Sequence, residues 1–153
     1  MKMIKIEALG LHPELISLCA RWNHEEWGKH DGRSLEESIA GLQQIIMDDK
    51  QEALVALVDT VPCGMALLID CDLPSHSHLK PWVASVLVQP DFRGRGVGRE
   101  LVAAIERAAH GFGFGEAHLY TAKPGYYQRF GWQNHESWID GKDELFIMSK
   151  SLR

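Results

Sequence analysis

At 153 residues the chain suits a single domain, residues 1–153, with room for a sizeable core. Apolar residues make up 45% and charged residues 24%, and a net charge of −5 argues against nucleic acid as a partner. No apolar run is long enough to span a membrane and the first five residues carry no signal-peptide pattern, so a cytoplasmic location without membrane contact is expected. Three scattered cysteines, Cys19, Cys63 and Cys71, argue against a disulfide framework and suit a reducing compartment. Residues 1–72 carry 13 acidic and 6 basic side chains, whereas residues 73–153 carry 8 and 10. That asymmetry suits an anionic ligand on the C-terminal half and a cationic one on the other, although solvated helix surfaces explain most of the acids equally well.

Ile4, Ile6 and Ala8 alternate with Lys5 and Glu7, which predicts a half-buried first strand over 3–8. His12-Pro13-Glu14 opens a helix whose apolar face is Leu15, Leu18, Cys19 and Trp22, and which ends near Trp27-Gly28. Ser34-x-x-Glu37 is a capping box for a second helix with Leu35, Ile39, Leu42 and Ile46 as its buried stripe. Residues 52–59 and 61–70 read as a hairpin turning at Asp59-Thr60, with Pro62 near a strand start. A polar loop, 71–81, holds His76 and His78. Trp82–Val88 is uncharged and rich in β-branched residues, a buried strand. From Val97 the residues Leu101, Ile105 and Ala108 fall at helical spacing, to a stop near Phe112-Gly113. A strand at Glu116–Thr121, a short helix after Pro124, and strands 132–139 and 144–150 joined across Asp140-Gly141 complete the chain. The order β-α-α-β-β-β-α-β-α-β-β predicts an α/β domain with one mixed sheet.

The chain is organised around the turn between the strand 82–88 and the helix at Val97. There Arg93, Gly94, Arg95, Gly96, Val97, Gly98 and Arg99 form an arginine-rich glycine turn at a helix N-terminus. Unpaired N–H groups and the helix dipole favour an anion there, and glycines let the backbone approach it. Three arginines suit a polyphosphate. Gly98-Arg99-Glu100 lacks the Lys-Ser/Thr ending of a P-loop, and Arg99 stands where a Rossmann fingerprint needs its third glycine. The plain alternative is a tight αβ connection whose glycines serve packing alone.

What remains is Arg-x-x-Gly-x-Gly, with Arg93, Gly96 and Gly98 at its fixed positions, preceded by Val88-x-Pro90 and Phe92-Arg93-Gly94. This resembles the coenzyme A loop of the GNAT acetyltransferase superfamily, and the element order resembles that family over nearly the whole chain. The resemblance implies a mostly antiparallel central sheet with helices on both faces, and acetyl-CoA as acetyl donor. It implies backbone contacts to the pantetheine arm from Val86, Leu87 and Val88, where the central strand splays from its neighbour, and pyrophosphate contacts from residues 93–99. It also implies a general acid: Tyr127-Gln128-Arg129-Phe130-Gly131-Trp132 is similar to the family's Tyr-x-x-x-Gly-Phe/Trp segment. A phenol there can protonate the departing thiolate; otherwise Tyr127 caps a short helix and packs.

In two places the chain departs from the family. Some members carry a glutamate near the start of the central strand, where Val83 stands, and many carry an asparagine after the next strand, where Tyr120 and Thr121 stand. Substitute bases are Glu25, Glu26, Asp70, Asp72, His76 and His78. The family builds its acceptor pocket at the end of the first helix, here Trp22, Glu25, Glu26 and Trp27, with Asp70 and Trp82 as further candidates; a tryptophan at helical spacing also suits a core. Aromatic walls with carboxylates suit a small cationic amine or amino sugar as acceptor, with a protein N-terminus or lysine as the alternative. A non-catalytic acyl-CoA-binding or regulatory module and a nucleotide-binding protein are the competing classes. Cys71, His76 and His78 lack zinc-like spacing, so no metal is expected. The family often forms homodimers.

Overall fold

The computed structural model describes residues 3–153. Its seven-stranded sheet has the order β1-β2-β3-β4-β5-β7-β6. The strands are β1 (Ile4–Ala8), β2 (Glu52–Val58), β3 (Val61–Ile69), β4 (Trp82–Val88), β5 (Glu116–Thr121), β6 (Gln133–Asp140) and β7 (Asp143–Ser151). All neighbours are antiparallel except β4 and β5. The helices are α1 (Ile16–Asn23), α2 (Leu35–Met47), α3 (Val97–Gly111) and α4 (Pro124–Gln128).

Sheet alternation divides the apolar side chains into two layers. Val97, Leu101, Val102, Ile105 and Ala109 of α3 pack on one face against Leu54, Ala56, Ala66, Leu68 and Val83. On the other face Cys19, Ala20 and Leu42 of α1 and α2 meet Ala53, Val55, Met65, Leu67 and Ala84. Helices therefore cover both faces of a mixed sheet, as the sequence predicts. Gly64 of β3 leaves room for its neighbours: a Cβ there would lie 2.7 Å from the Leu87 carbonyl oxygen of β4 and 3.1 Å from Leu101 of α3.

Local signals act where the sequence places them. Ser34 and Glu37 form the reciprocal capping box of α2. Asp59 and Thr60 both take positive φ between β2 and β3. The first helix is less regular than its spacing predicts. Two 3-10 turns, Leu9–Leu11 and Pro13–Leu15, precede α1, and a wider π-helical turn, His24–Gly28, follows it. In α3 it is Ala109, not Ala108, that is fully buried.

Two irregularities in β4 matter for function. It is in register with β5 only at Trp82 and His118, so beyond that pair the two parallel strands part. It also bulges: Ala84 faces Leu67 and Leu87 faces Met65, which leaves Ser85 and Val86 against a single residue. Ser85 takes a left-handed φ of 51°, an arrangement that costs on the order of 1–3 kcal/mol in a non-glycine residue unless its surroundings hold it.

Candidate active site

The glycine turn lies where β4 leads into α3. Gly94 and Gly96 have φ of 76° and 84°, and a Cβ on either would meet nothing within 4 Å, so the turn is open on its outer side. Gly96 caps α3 without any side-chain hydrogen bond. The first intrahelical bond runs from Glu100 N to Gly96 O, leaving the N–H groups of Val97, Gly98 and Arg99 for an anion. Gly98 is buried under Tyr126, whose hydroxyl would lie 2.5 Å from an added Cβ. Arg93 donates through Nε to Val88 O at 3.1 Å. Arg95 lies over Phe92 and Arg99 over Phe130, with both arginines exposed. These features fit a polyphosphate tail. Val86, Leu87 and Val88 lead directly to this turn along the stretch of β4 that has lost β5 as a ladder partner.

On the other side of the splay lies a cavity of about 610 Å³. Its floor is Val83–Val86 of β4 and residues 119–122 at the end of β5, and α1, the π-helical turn and α2 supply one wall. A polar chain anchors that wall. Asn23 donates to Ser85 Oγ at 2.7 Å, Arg33 donates to Asn23 Oδ1 at 2.9 Å and to Ser38 Oγ at 3.2 Å, and His24 Nε2 meets Arg33 O at 2.9 Å. The left-handed Ser85 is thus tied to α1, which fixes the bulge at the cavity floor.

Tyr127 lines the cavity from α4. Its ring packs edge-on against Tyr126 and Trp132, at centroid distances of 5.0 and 6.4 Å. Trp132 in turn donates to Glu106 of α3, which pairs with Lys150 of β7 at 2.7 Å. The Tyr127 hydroxyl has no hydrogen-bond partner among the described residues. Burial first, and Tyr126 second, push its pKa up to about 12. It stays protonated through the whole physiological range, as a proton donor must.

The cavity is acidic, with Asp31, Glu37 and Asp72 on its lining and Arg33 as the counter-charge. Asp72 has no hydrogen-bond or ion-pair partner among the described residues. Burial, reinforced by repulsion from Asp31 and opposed by Arg33, raises its carboxyl from 3.8 to about 6. Tyr120, also on the lining, is pushed up to about 12 by burial and by the charges of Asp72, Asp31 and Asp140.

A carboxyl with a raised folded pKa costs nothing below pH 3.8, where it is protonated folded and unfolded. Above about pH 6 it carries its full penalty, on the order of 3 kcal/mol. Asp72→Asn keeps some burial cost of its own. It should therefore raise stability at pH 8 by about 1–2 kcal/mol, several degrees in Tm, and leave it unchanged at pH 3. Thermal unfolding at the two pH values checks this.

The remaining sequence candidates separate. Trp27, 37% exposed, borders the cavity. Glu25 and Glu26 are exposed on the π-helical turn and do not line it. Trp22 packs against the core shared by α1 and α2. Trp82 is corrected from pocket to core: it is fully buried, and its indole N–H donates to Leu79 O at 2.7 Å. Asp70 lies outside the cavity and pairs with Lys80 at 3.5 Å. His76 meets Glu136 at 2.7 Å and stacks on His78. Asn23, Asp31, Arg33, Glu37, Ser85 and Tyr120 escape the sequence reading as cavity residues; only the Glu37 capping box and the position of Tyr120 near the end of the strand that follows the central one are signalled locally.

The model of the acetyltransferase (GNAT) family matches residues 13–132. No curated protein matches the chain significantly. Among solved structures, an aminoglycoside 6'-N-acetyltransferase complexed with coenzyme A superposes with a TM-score of 0.75 at 12% identity, covering 97% of each chain. The protein yncA from Salmonella typhimurium, with its cofactor acetyl-CoA, gives 0.74 at 15% identity over 98% of this chain and 94% of its own. A spermidine N-acetyltransferase chimera from Vibrio cholerae and hSSAT gives 0.73 at 16% over 97% and 95%. At such identities the likeness concerns the fold alone. Together with the family match over most of its length, it places the chain: the protein is a member of the GNAT acetyltransferase family.

Proposed function

We propose that the protein is an acetyl-CoA-dependent N-acetyltransferase whose acceptor is a small cationic amine or amino sugar. The observation that carries this reading is the pairing of two opposite sites across one strand. A basic glycine turn lies at one end of β4, and an acidic 610 Å³ cavity containing Tyr127 opens beside its bulge. The solved relatives that hold coenzyme A or acetyl-CoA, and those acting on aminoglycosides and spermidine, lend support by analogy of fold.

In this reading the turn N–H groups and arginines hold the donor's phosphates, and the free edge of β4 at Val86, Leu87 and Val88 pairs with its pantetheine arm. The amine enters beside Asp31, Glu37 and Asp72 and attacks the thioester directly. Tyr127 gives the departing thiolate its proton. Cys19 and Cys63 are buried, and burial raises both thiols, most strongly Cys19 to about 12, so neither suits a covalent acyl carrier.

Thermal unfolding with acetyl-CoA, coenzyme A, ATP and NAD in parallel tests the donor assignment. At a hundred times its Kd, a ligand adds about 2.7 kcal/mol, or several degrees. Stabilisation confined to the two coenzyme A species is expected. A shift with ATP or NAD alone would remove the donor assignment.

A further inference from the structure

We infer that Asp72 is the proton acceptor for the amine in this acetyl transfer, which assigns the base that β4, with Val83 at its start, does not provide. The inference rests on the N-acetyltransferase reading. Asp72 lines the same cavity as Tyr127 and the β4 bulge, so base and acid share one chamber. It enters from the loop between β3 and β4, and that loop is pinned. Cys71 Sγ donates to Leu73 O, Trp82 Nε1 donates to Leu79 O at 2.7 Å, and His76 is bound to Glu136 of β6 at 2.7 Å. The carboxylate is thus held in place while satisfying no other group of the fold, an arrangement that leaves it free for a ligand. Glu25, Glu26 and Asp70 lie outside the cavity, and His76 is engaged by Ser75 and Glu136.

The bound ammonium gives one proton to the Asp72 carboxylate, and the neutral amine forms its C–N bond to the thioester carbonyl. As the C–S bond breaks, the thiolate takes a proton from Tyr127. The second amine proton returns to Tyr127, and Asp72 releases its own to solvent. The net products are the N-acetylamine, coenzyme A and one proton. The charged or titratable groups that act on Asp72 or share its cavity are Asp31 and Arg33 ahead of α2, Glu37 on α2, Tyr120 on β5 and Tyr127 on α4, and Asp140 at the end of β6 acts in turn on Tyr120. The acids favour an ammonium there, and Arg33 opposes the upward shift of the Asp72 carboxyl.

The test is amine-dependent thiol release from acetyl-CoA with spermidine, glucosamine and an aminoglycoside, between pH 5 and 10, in wild type and Asp72→Asn. Acetyl-CoA affinity measured by calorimetry should be equal in the two proteins, which shows that the variant folds. Wild-type kcat/KM should fall below about pH 6. At pH 7 the variant should lose roughly a hundredfold or more. The loss should shrink toward pH 10, where free amine no longer needs a base, and Asp72→Glu should restore part of the activity. A variant whose profile runs parallel to wild type, or whose activity is unchanged, overturns the role of Asp72 and leaves the transferase reading intact. Absence of release by wild type with every amine overturns both.

Discussion

In the proposed mechanism Tyr127→Phe should lower kcat by about 10²-fold or more while leaving the affinity for acetyl-CoA within about twofold, because it removes a single proton from the reacting end of the cavity. The ring itself should stay put. Its edge contacts with Tyr126 and Trp132 involve no hydroxyl, and the Tyr127 carbonyl still accepts from Phe130 N and Trp132 N. Thermal stability should therefore match the wild type to within about 1 kcal/mol, because the hydroxyl makes no hydrogen bond among the described residues that the phenyl would lose. Since the phenol titrates only near 12, it predicts no loss of activity on the alkaline side up to pH 10. Steady-state kinetics with parallel calorimetry separates the outcomes. Unchanged kcat removes Tyr127 from the chemistry, and a fall in cofactor affinity of the same size as the fall in kcat/KM makes it a binding residue instead.

Gly96→Glu should have the second large effect, on binding of the proposed donor. Gly96 sits at a φ of 84° immediately before α3, and a residue with a Cβ pays about 1–2 kcal/mol to hold that conformation. There is space for the side chain, since nothing approaches the added Cβ within 4 Å. The substitution therefore acts less through bulk inside the protein than through what it places outside. A carboxylate at the positive end of α3 competes for the N–H groups of Val97, Gly98 and Arg99 and repels a phosphate. Acetyl-CoA affinity should fall by about a hundredfold or more, equivalent to about 2.7 kcal/mol, and calorimetry reads it directly. Retained affinity would locate the phosphates elsewhere on the molecule.

Much of this architecture is legible because its signals are local. The capping box at Ser34, the paired positive φ at Asp59-Thr60 and the Gly141 turn each need only adjacent residues to specify them. The strand at Trp82–Val88 and the helix from Val97 combine composition, periodicity and glycine spacing, and the structure reproduces both starts. The irregular first helix is harder: the π-helical turn after Asn23 turns Glu25 and Glu26 outward and leaves Trp27 at the cavity edge, which uniform helical spacing does not anticipate. Trp82 misleads for a related reason. Its type suits a pocket wall, but its face of β4 is decided by the strands on either side.

The cavity's polar chain is invisible in one dimension. Asn23 and Ser85 are 62 residues apart, and the left-handed Ser85 is not announced by a neighbouring glycine, asparagine or aspartate. The same holds for Asp72, which reads as one loop acid among several until the fold places it on the lining of the cavity that holds Tyr127, while Asp70 stays outside. Charge asymmetry along the chain hints at two ligands of opposite sign, and the structure shows a spatial counterpart: Asp31, Glu37 and Asp72 gather in one cavity, whereas Arg93, Arg95 and Arg99 surround the turn beyond the bulge.

The most direct measurement is the mass of the products formed from acetyl-CoA and a panel of small cationic amines, with free coenzyme A counted in the same reaction. One N-acetylated amine is expected for each coenzyme A released, with no release when the amine is omitted and no acetyl group retained on the protein. Tight binding of acetyl-CoA without acetylation of any amine would contradict it, and would make the chain a member of the family that keeps the donor site but not the transfer.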